Sequence, residues 1–270
     1  LYDAESLTPV ASHQVELQSA TTTPEPGWSQ MDPSAILKSV DEAAQGALEK
    51  ANASSTEVIG VGITNQREST VCWDSRSGDA LYDCILWHDA RTRDVSQALQ
   101  EKLGGIDALR GVTGLPISTY FSGVKLKWLL DEVPSVRNAL ERGSLRFGTV
   151  DTWLLNHLTG NHVTDFTNAS RTLMMDLSKG TWDASCIEAL GLPSTMITAL
   201  PTIRGCAEPL GVIDKGPLKG CKITGVLGDQ MAATVGQRCF QVGNAKITYG
   251  TGAFLLTNAG TKPVPSKHGL

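Results

Sequence analysis

Hydrophobic positions recur with two periods along this 270-residue chain, and each change of period marks an element. Ile36, Leu37, Val40, Ala44, Ala47 and Leu48 follow helical spacing, and their segment opens with Asp32 as N-cap and Pro33 at the first helical position. Residues 91–104 and 123–141 carry the same period. "DTWLLNHLT" reads as a further helix, with Asp151 as its cap and Gly160 as its stop. Short apolar runs of strand length lie between: "EVIGVGIT", "STVCWD", "LRFGTV" and "CKITGVLGD", the last running into the helical "QMAATVGQ". "LYDAESLTPVASHQVEL" alternates apolar and polar residues around a Ser-Leu-Thr-Pro break and predicts a strand pair. "NAKITYGTGAFLLTNAG" predicts a hairpin joined at Gly-Thr-Gly, "TTTPEPGWSQMDP" a loop and "SRSGDA" a turn. Strands alternate with helices, while paired strands open and close the chain. The expected class is therefore α/β with a mixed sheet flanked by helices.

Composition narrows the function. With 41% hydrophobic and 19% charged residues, the chain has ample material for a core. The net charge of −5 and the absence of a basic run argue against nucleic-acid partners. No apolar stretch approaches a membrane span and no secretory pattern opens the sequence, which points to the cytoplasm. Six scattered cysteines without C-x-x-C spacing read as free thiols in a reducing compartment. No His/Cys/Asp cluster has metal-binding spacing, and no Ser/His/Asp arrangement is recognisable.

Several short stretches carry candidate chemistry. Arg67-Glu68 in "GITNQREST" sits just past an apolar strand. Neighbouring side chains of a strand face opposite ways, but at its exit both can lean into a cleft beyond the sheet edge, where open α/β sheets place ligands. The alternative is a solvated surface pair. Asp229 in "GVLGDQMAA" stands at the end of another apolar strand, as a catalytic base or as a helix N-cap. "YGTGAF" places Gly250 and Gly252 around Thr251 at a hairpin tip, where backbone N–H groups and a hydroxyl can cradle a phosphate or simply turn the chain. Trp87 and Tyr120 stand where apolar runs meet polar ones, which is the ordinary place for a core aromatic, and His88 reads as a rim residue.

In sequence, "GITNQRE", "ILWHDART", "YFSGVKLKWLLDE", "GTVDTWLLNHLTG", "VTDFTNASRT", "GVLGDQMAA" and "YGTGAF" resemble the FGGY family of carbohydrate kinases, over essentially the whole chain and including "PGWSQMDP". "NQRE" paired with "GDQ" resembles the glycerol-phosphorylating branch. The resemblance implies an actin-like ATPase (ribonuclease-H-like) fold closing over ATP, Mg²⁺ and a polyol. By matching motifs it implies that Arg67 and Glu68 bind glycerol hydroxyls, that Trp87 and Phe254 are apolar walls and that Tyr120 and Gln230 are hydroxyl partners. Asp229 is then the general base, and Thr251, with Gly250 and Gly252, faces the nucleotide phosphates. Chemically the set is coherent: each hydroxyl donates and accepts, so a donor-only Arg beside an acceptor-only Glu can satisfy neighbouring hydroxyls.

The resemblance also divides the chain into an N-terminal substrate-side domain over 1–240 and the start of a second domain over 241–270. The chain begins at Leu1 rather than Met, and the family's Asp-Gly-Thr-Thr turn and most of the adenine-binding half are expected outside it, so the 270 residues alone are expected to be inactive. Self-association is left open. Two rival functions remain at this point: a non-catalytic polyol-binding or regulatory module, and a family kinase for another polyol or ketose.

Overall fold

A computed structural model describes residues 1–250, 252–264 and 266. Asp32 caps the helix Pro33–Ala51 as the sequence predicts: its carboxylate accepts from the Ser34 N–H, and Asn52 ends the helix in the left-handed conformation. The apolar runs form strands at Val61–Asn65, Thr70–Asp74, Leu145–Thr149 and Lys222–Gly228. Helices cover Arg93–Leu103 and Val150–Thr159, and Gly104 and Gly160 stop them at positive φ.

Four expectations are corrected. The stretch 21–33, read as a loop, holds two short strands, Thr21–Thr22 and Gln30–Met31, which pair antiparallel. Residues 1–17 form no strand pair, only an isolated bridge between Tyr2 and Pro9. Tyr2, Leu7 and Val10 remain exposed there, so the alternation has no core face to bury. The 123–141 pattern is two helices, Ser122–Glu132 and Pro134–Glu141, because Pro134 has no N–H to continue the first and disfavours a helical Val133 before it. Asp151 is not a cap. Thr149 holds that position, while Asp151 is fully buried in the first turn and accepts from the hydroxyls of Thr149 and Thr164.

Among the described residues the largest sheet has five strands in the order Thr21–Thr22, Gln30–Met31, Cys84–Ile85, Thr70–Asp74, Leu145–Thr149, paired antiparallel. The central Thr70–Asp74 strand explains its unbroken apolar run. Cys72 faces one hydrophobic cluster, with Phe147, Leu126 and Leu129. Val71 and Trp73 face another, with Trp153, Leu155 and Ile223, so both faces are buried. A second sheet sets Gly211–Val212, Lys222–Gly228 and Val61–Asn65 side by side, the last two in parallel with Asn65 opposite Gly228. The mixed α/β expectation therefore holds. Ala245–Tyr249 and Ala253–Thr257 pair as the predicted hairpin. All six cysteines are free, and no helix among the described residues is long and apolar enough to cross a membrane.

Candidate functional site

The register of the parallel pair creates the site. Because Asn65 lies opposite Gly228, both strands end at the same level, and the segments that follow them, Gln66–Ser69 and Asp229–Gln230, meet beyond the sheet edge. A small cavity of about 160 Å³ lies there, lined by Gln66, Arg67, Glu68, Trp87, Tyr120, Asp229, Gln230 and Phe254. All seven residues expected to face the polyol are thus brought together. Gly250 and Gly252 are not in its lining; they sit at the hairpin tip, where the Gly250 N–H donates to the Gly252 carbonyl. Thr251 lies outside the described residues. The cavity is smaller than the roughly 300–1,000 Å³ typical of drug-sized ligands.

Arg67 and Glu68 are both buried, so the solvated-pair alternative is excluded, and they do not pair with one another. Arg67 Nε lies 3.4 Å from Asp229 Oδ1, within ion-pair distance, yet the alignment makes no hydrogen bond, and among the described residues Nε is a buried donor with no hydrogen-bond partner. Such orphans are rare in folded proteins, and this one is on a residue that lines the cavity, where a water, an ion or a ligand group could accept from it. The Arg67 stem crosses directly over Gly228: a Cβ there would stand 2.5 Å from Arg67 Cδ and 2.6 Å from Cγ. Glu68 takes φ +62°, with the Ser69 N–H donating to the Arg67 carbonyl at 2.7 Å, which is the rare, strained form of γ-turn. Asp229 is the first residue of its helix; the cap is Gly228, and Asp229 Oδ1 accepts from the Gln230 N–H. Its carboxylate is half exposed at the cavity rather than spent on capping.

Aromatic rings close the opposite side. Trp87 lies edge-on to Tyr120 (5.7 Å between centroids) and to Phe254 (6.2 Å). Burial, then the charge of Glu68, pushes the Tyr120 phenol up to about 12, so it stays a neutral hydroxyl that can both donate and accept. The loop bearing Trp87 is held by a fully buried Arg91–Asp89 pair, with the Arg91 guanidinium 4.1 Å from the centre of the Trp28 ring and the Asp89 carboxylate accepting from the Ser29 N–H. That contact is what "PGWSQMDP" contributes. His88 is exposed, with its ring 4.9 Å from that of Trp87, and does not line the cavity.

Sequence reasoning missed the supporting residues. Arg171 Nε donates to Glu68 Oε1 at 2.6 Å. Asp165 caps the short helix Phe166–Ala169 and accepts from both the N–H and the hydroxyl of Thr167. Thr167 Oγ1 in turn accepts from the Gly228 N–H at 2.8 Å, and the Asn65 and Asn168 amides exchange two hydrogen bonds. This belt ties both strand ends together. Lys246 donates to Gln230 Oε1, and Lys125 lies buried beneath the cavity. "VTDFTNASRT" and "YFSGVKLKWLLDE" were the only signals available for Arg171, Asp165 and Lys125.

No group of three acidic, imidazole or thiol side chains suited to a metal occurs among the described residues. The cavity's two carboxylates, Glu68 and Asp229, each face an arginine. These side chains do not make a metal cage by themselves.

The N-terminal-domain model of the FGGY family of carbohydrate kinases matches residues 2–236. A glycerol kinase of Brucella anthropi is 48% identical over 252 residues, covering 92% of this chain and 50% of that protein. A probable glycerol kinase of Caenorhabditis elegans is 44% identical over 275 residues, covering 100% of this chain and 54% of its own. The structure of Plasmodium falciparum glycerol kinase with ADP superposes with a TM-score of 0.91 at 33% identity, over 99% of this chain and 53% of that one. The chain spans about half the length of the curated relatives it matches. With its actin-like ATPase fold and its strand-end cavity, the chain belongs to the FGGY family of carbohydrate kinases.

Proposed function

We propose that this chain forms the polyol-binding part of an enzyme that transfers the γ-phosphate of ATP to glycerol, giving sn-glycerol 3-phosphate, in the cytoplasm. The observation that carries the reading is the small cavity in which an unpartnered Arg67 donor, the Glu68 and Asp229 carboxylates and two aromatic walls face one another. Arg67 donates to one hydroxyl. Glu68 accepts from a neighbouring one through Oε2, since Oε1 is taken by Arg171. An ammonium has no acceptor, so the Lys246 contact fixes the Gln230 amide with its oxygen outward and leaves its N–H donors for the substrate. Trp87 and Phe254 cover the carbon edge.

Asp229 accepts the proton of the attacking hydroxyl. Phosphoryl transfer depends chiefly on positioning and charge stabilisation, with a base orienting the nucleophile. We place residues 241–270 at the start of a second domain, with Gly250 and Gly252 on the nucleotide side. Mg²⁺ would enter with ATP and neutralise charge on its phosphates, and none of the cavity's side chains is assigned to hold it.

The test is ADP release by the protein carrying this chain, measured with ATP and a panel of polyols. Glycerol should be the preferred acceptor, and 1,2-propanediol should be poorer by about 10⁴-fold in kcat/KM, because a site built for a hydroxyl leaves its polar groups unpaired without one. Equal values for the two would overturn the assignment. Preference for a ketose would move the substrate within the family.

A further inference from the structure

We propose that Lys125 and Ser122 are positioning residues for polyol recognition: together they pin the backbone of Glu68, and Lys125 pins that of Trp87 and Tyr120 as well. The proposal rests on the glycerol reading above for its substrate, and on independent geometry for the pin itself.

Lys125 is fully buried in the helix Ser122–Glu132. Among the described residues its ammonium forms no ion pair with a carboxylate. It donates instead to three main-chain oxygens: Tyr120 at 2.5 Å, and Glu68 and Trp87 at 3.5 Å each. These carbonyls belong to three different segments, and every one of those residues lines the cavity. Three ammonium protons match three carbonyls. Burial draws the Lys125 pKa down to about 8, with the Glu68 charge opposing the shift, so the third proton is kept at neutral pH.

A buried ammonium is costly wherever it is placed, and a leucine or methionine would fill the same space more cheaply. Its location accounts for it. The Glu68 carbonyl accepts not only from Lys125 but also from Ser122 Oγ at 3.1 Å and Thr70 Oγ1 at 3.0 Å. Three donors on one carbonyl hold the residue whose φ of +62° is the unfavourable one in the site. Strain of this kind persists only where the surroundings over-determine it. The carbonyl grip orients the Glu68 carboxylate from below, while Arg171 holds it from the side. The same ammonium sets the spacing between that carboxylate and the Trp87 and Tyr120 rings.

The experiment compares wild type, Lys125→Met and Ser122→Ala in the protein carrying this chain. Kinetics are measured on glycerol, 1,2-propanediol and ATP, and amide hydrogen exchange is followed at Ser69, whose N–H closes the γ-turn. For folded Lys125→Met the glycerol KM should rise by about 10²-fold, the cost of a misplacement of about 1 Å. The ATP KM should stay within about twofold, and the preference for glycerol over 1,2-propanediol should collapse. Ser122→Ala removes one hydrogen bond, so its glycerol KM should rise by about tenfold at most. Ser69 exchange should quicken in both.

Unchanged glycerol KM with unchanged Ser69 protection in a folded variant would overturn the proposal. So would a lowered melting temperature with the glycerol-to-propanediol ratio intact, which is what a merely structural lysine would give. If Lys125→Met does not fold, Ser122→Ala decides by the same two readouts. If wild type does not use glycerol, the substrate reading fails, and Ser69 exchange still decides the pin.

Discussion

Asp151→Asn should stabilise the folded chain near neutral pH and remove a pH dependence that runs opposite to the usual one for a carboxylate. Asp151 is fully buried, and its carboxylate accepts from Thr149 Oγ1 at 2.5 Å and Thr164 Oγ1 at 2.7 Å. Burial, reinforced by the charge of Asp165, raises its pKa from the ordinary 3.8 to about 6. The two hydroxyls and the Thr152 backbone only partly oppose the shift. Because the folded value lies above the unfolded one, the native state binds the extra proton. The group's stabilising contribution is therefore complete below about pH 3.8 and is lost as the pH rises through about 6. A difference of about 2 pKa units corresponds to roughly 3 kcal/mol, and full burial leaves little solvent screening to reduce it. Asparagine keeps the shape and one acceptor oxygen, and the threonine hydroxyls can rotate to accept from its N–H₂. Urea unfolding followed by tryptophan fluorescence, repeated from pH 4 to pH 8, reads the difference directly. The variant should gain up to about 3 kcal/mol over wild type at pH 7–8, less any loss from the rearranged hydrogen bonds, and the gain should vanish towards pH 4. A difference that is constant across this range, or grows towards low pH, would refute the reasoning.

Three further outcomes follow from the site. Asp229→Asn should lower kcat by about 10²–10⁴-fold while glycerol binding weakens less, measured by steady-state kinetics; near-normal kcat would reduce Asp229 to a residue that merely opens a helix. Arg171→Met strands the buried Glu68 carboxylate, so stability should fall by about 3–5 kcal/mol, roughly 10 °C in melting temperature, with weaker glycerol binding; a shift below 2 °C in a calorimetric scan would contradict the pairing. Gly228→Ala meets the middle of the Arg67 side chain and should raise the glycerol KM with little change in the ATP KM, whereas an unaltered glycerol KM would show that Arg67 can lie elsewhere.

What the sequence made legible was local. The Pro33–Ala51 helix, the hairpin and the Lys222–Gly228 strand running into its helix combine a clear period with a cap, a stop or a tight turn, and all three are where the pattern puts them. Alternation in residues 1–17 failed because period alone does not supply a surface to pack on. Asp151 failed for a related reason: a carboxylate in the first turn of a helix looks like a cap whether it faces solvent or core. The cavity walls were identified by resemblance, but Arg171 and Lys125 act across 103 and 57 positions, and no local pattern encodes such contacts. Nor did it reveal that Arg67 and Glu68 would each find a different partner.

The parallel pairing of Val61–Asn65 with Lys222–Gly228 has a consequence during synthesis. Arg67 and Met231 touch across 164 positions, and Phe254 lies further on still. At about 5–20 residues per second, some 10–40 s separate the emergence of Glu68 from that of Phe254 on the ribosome. Until then the charged pair has no cavity to line, and the Val61–Asn65 strand waits without the parallel neighbour it has in the folded chain. Loop closure over such a distance comes late in folding, because its entropy must be met before the contacts form. A ligand of this cavity therefore could not template the early chain; it would lock the fold only once the last wall has arrived, by binding the native state alone.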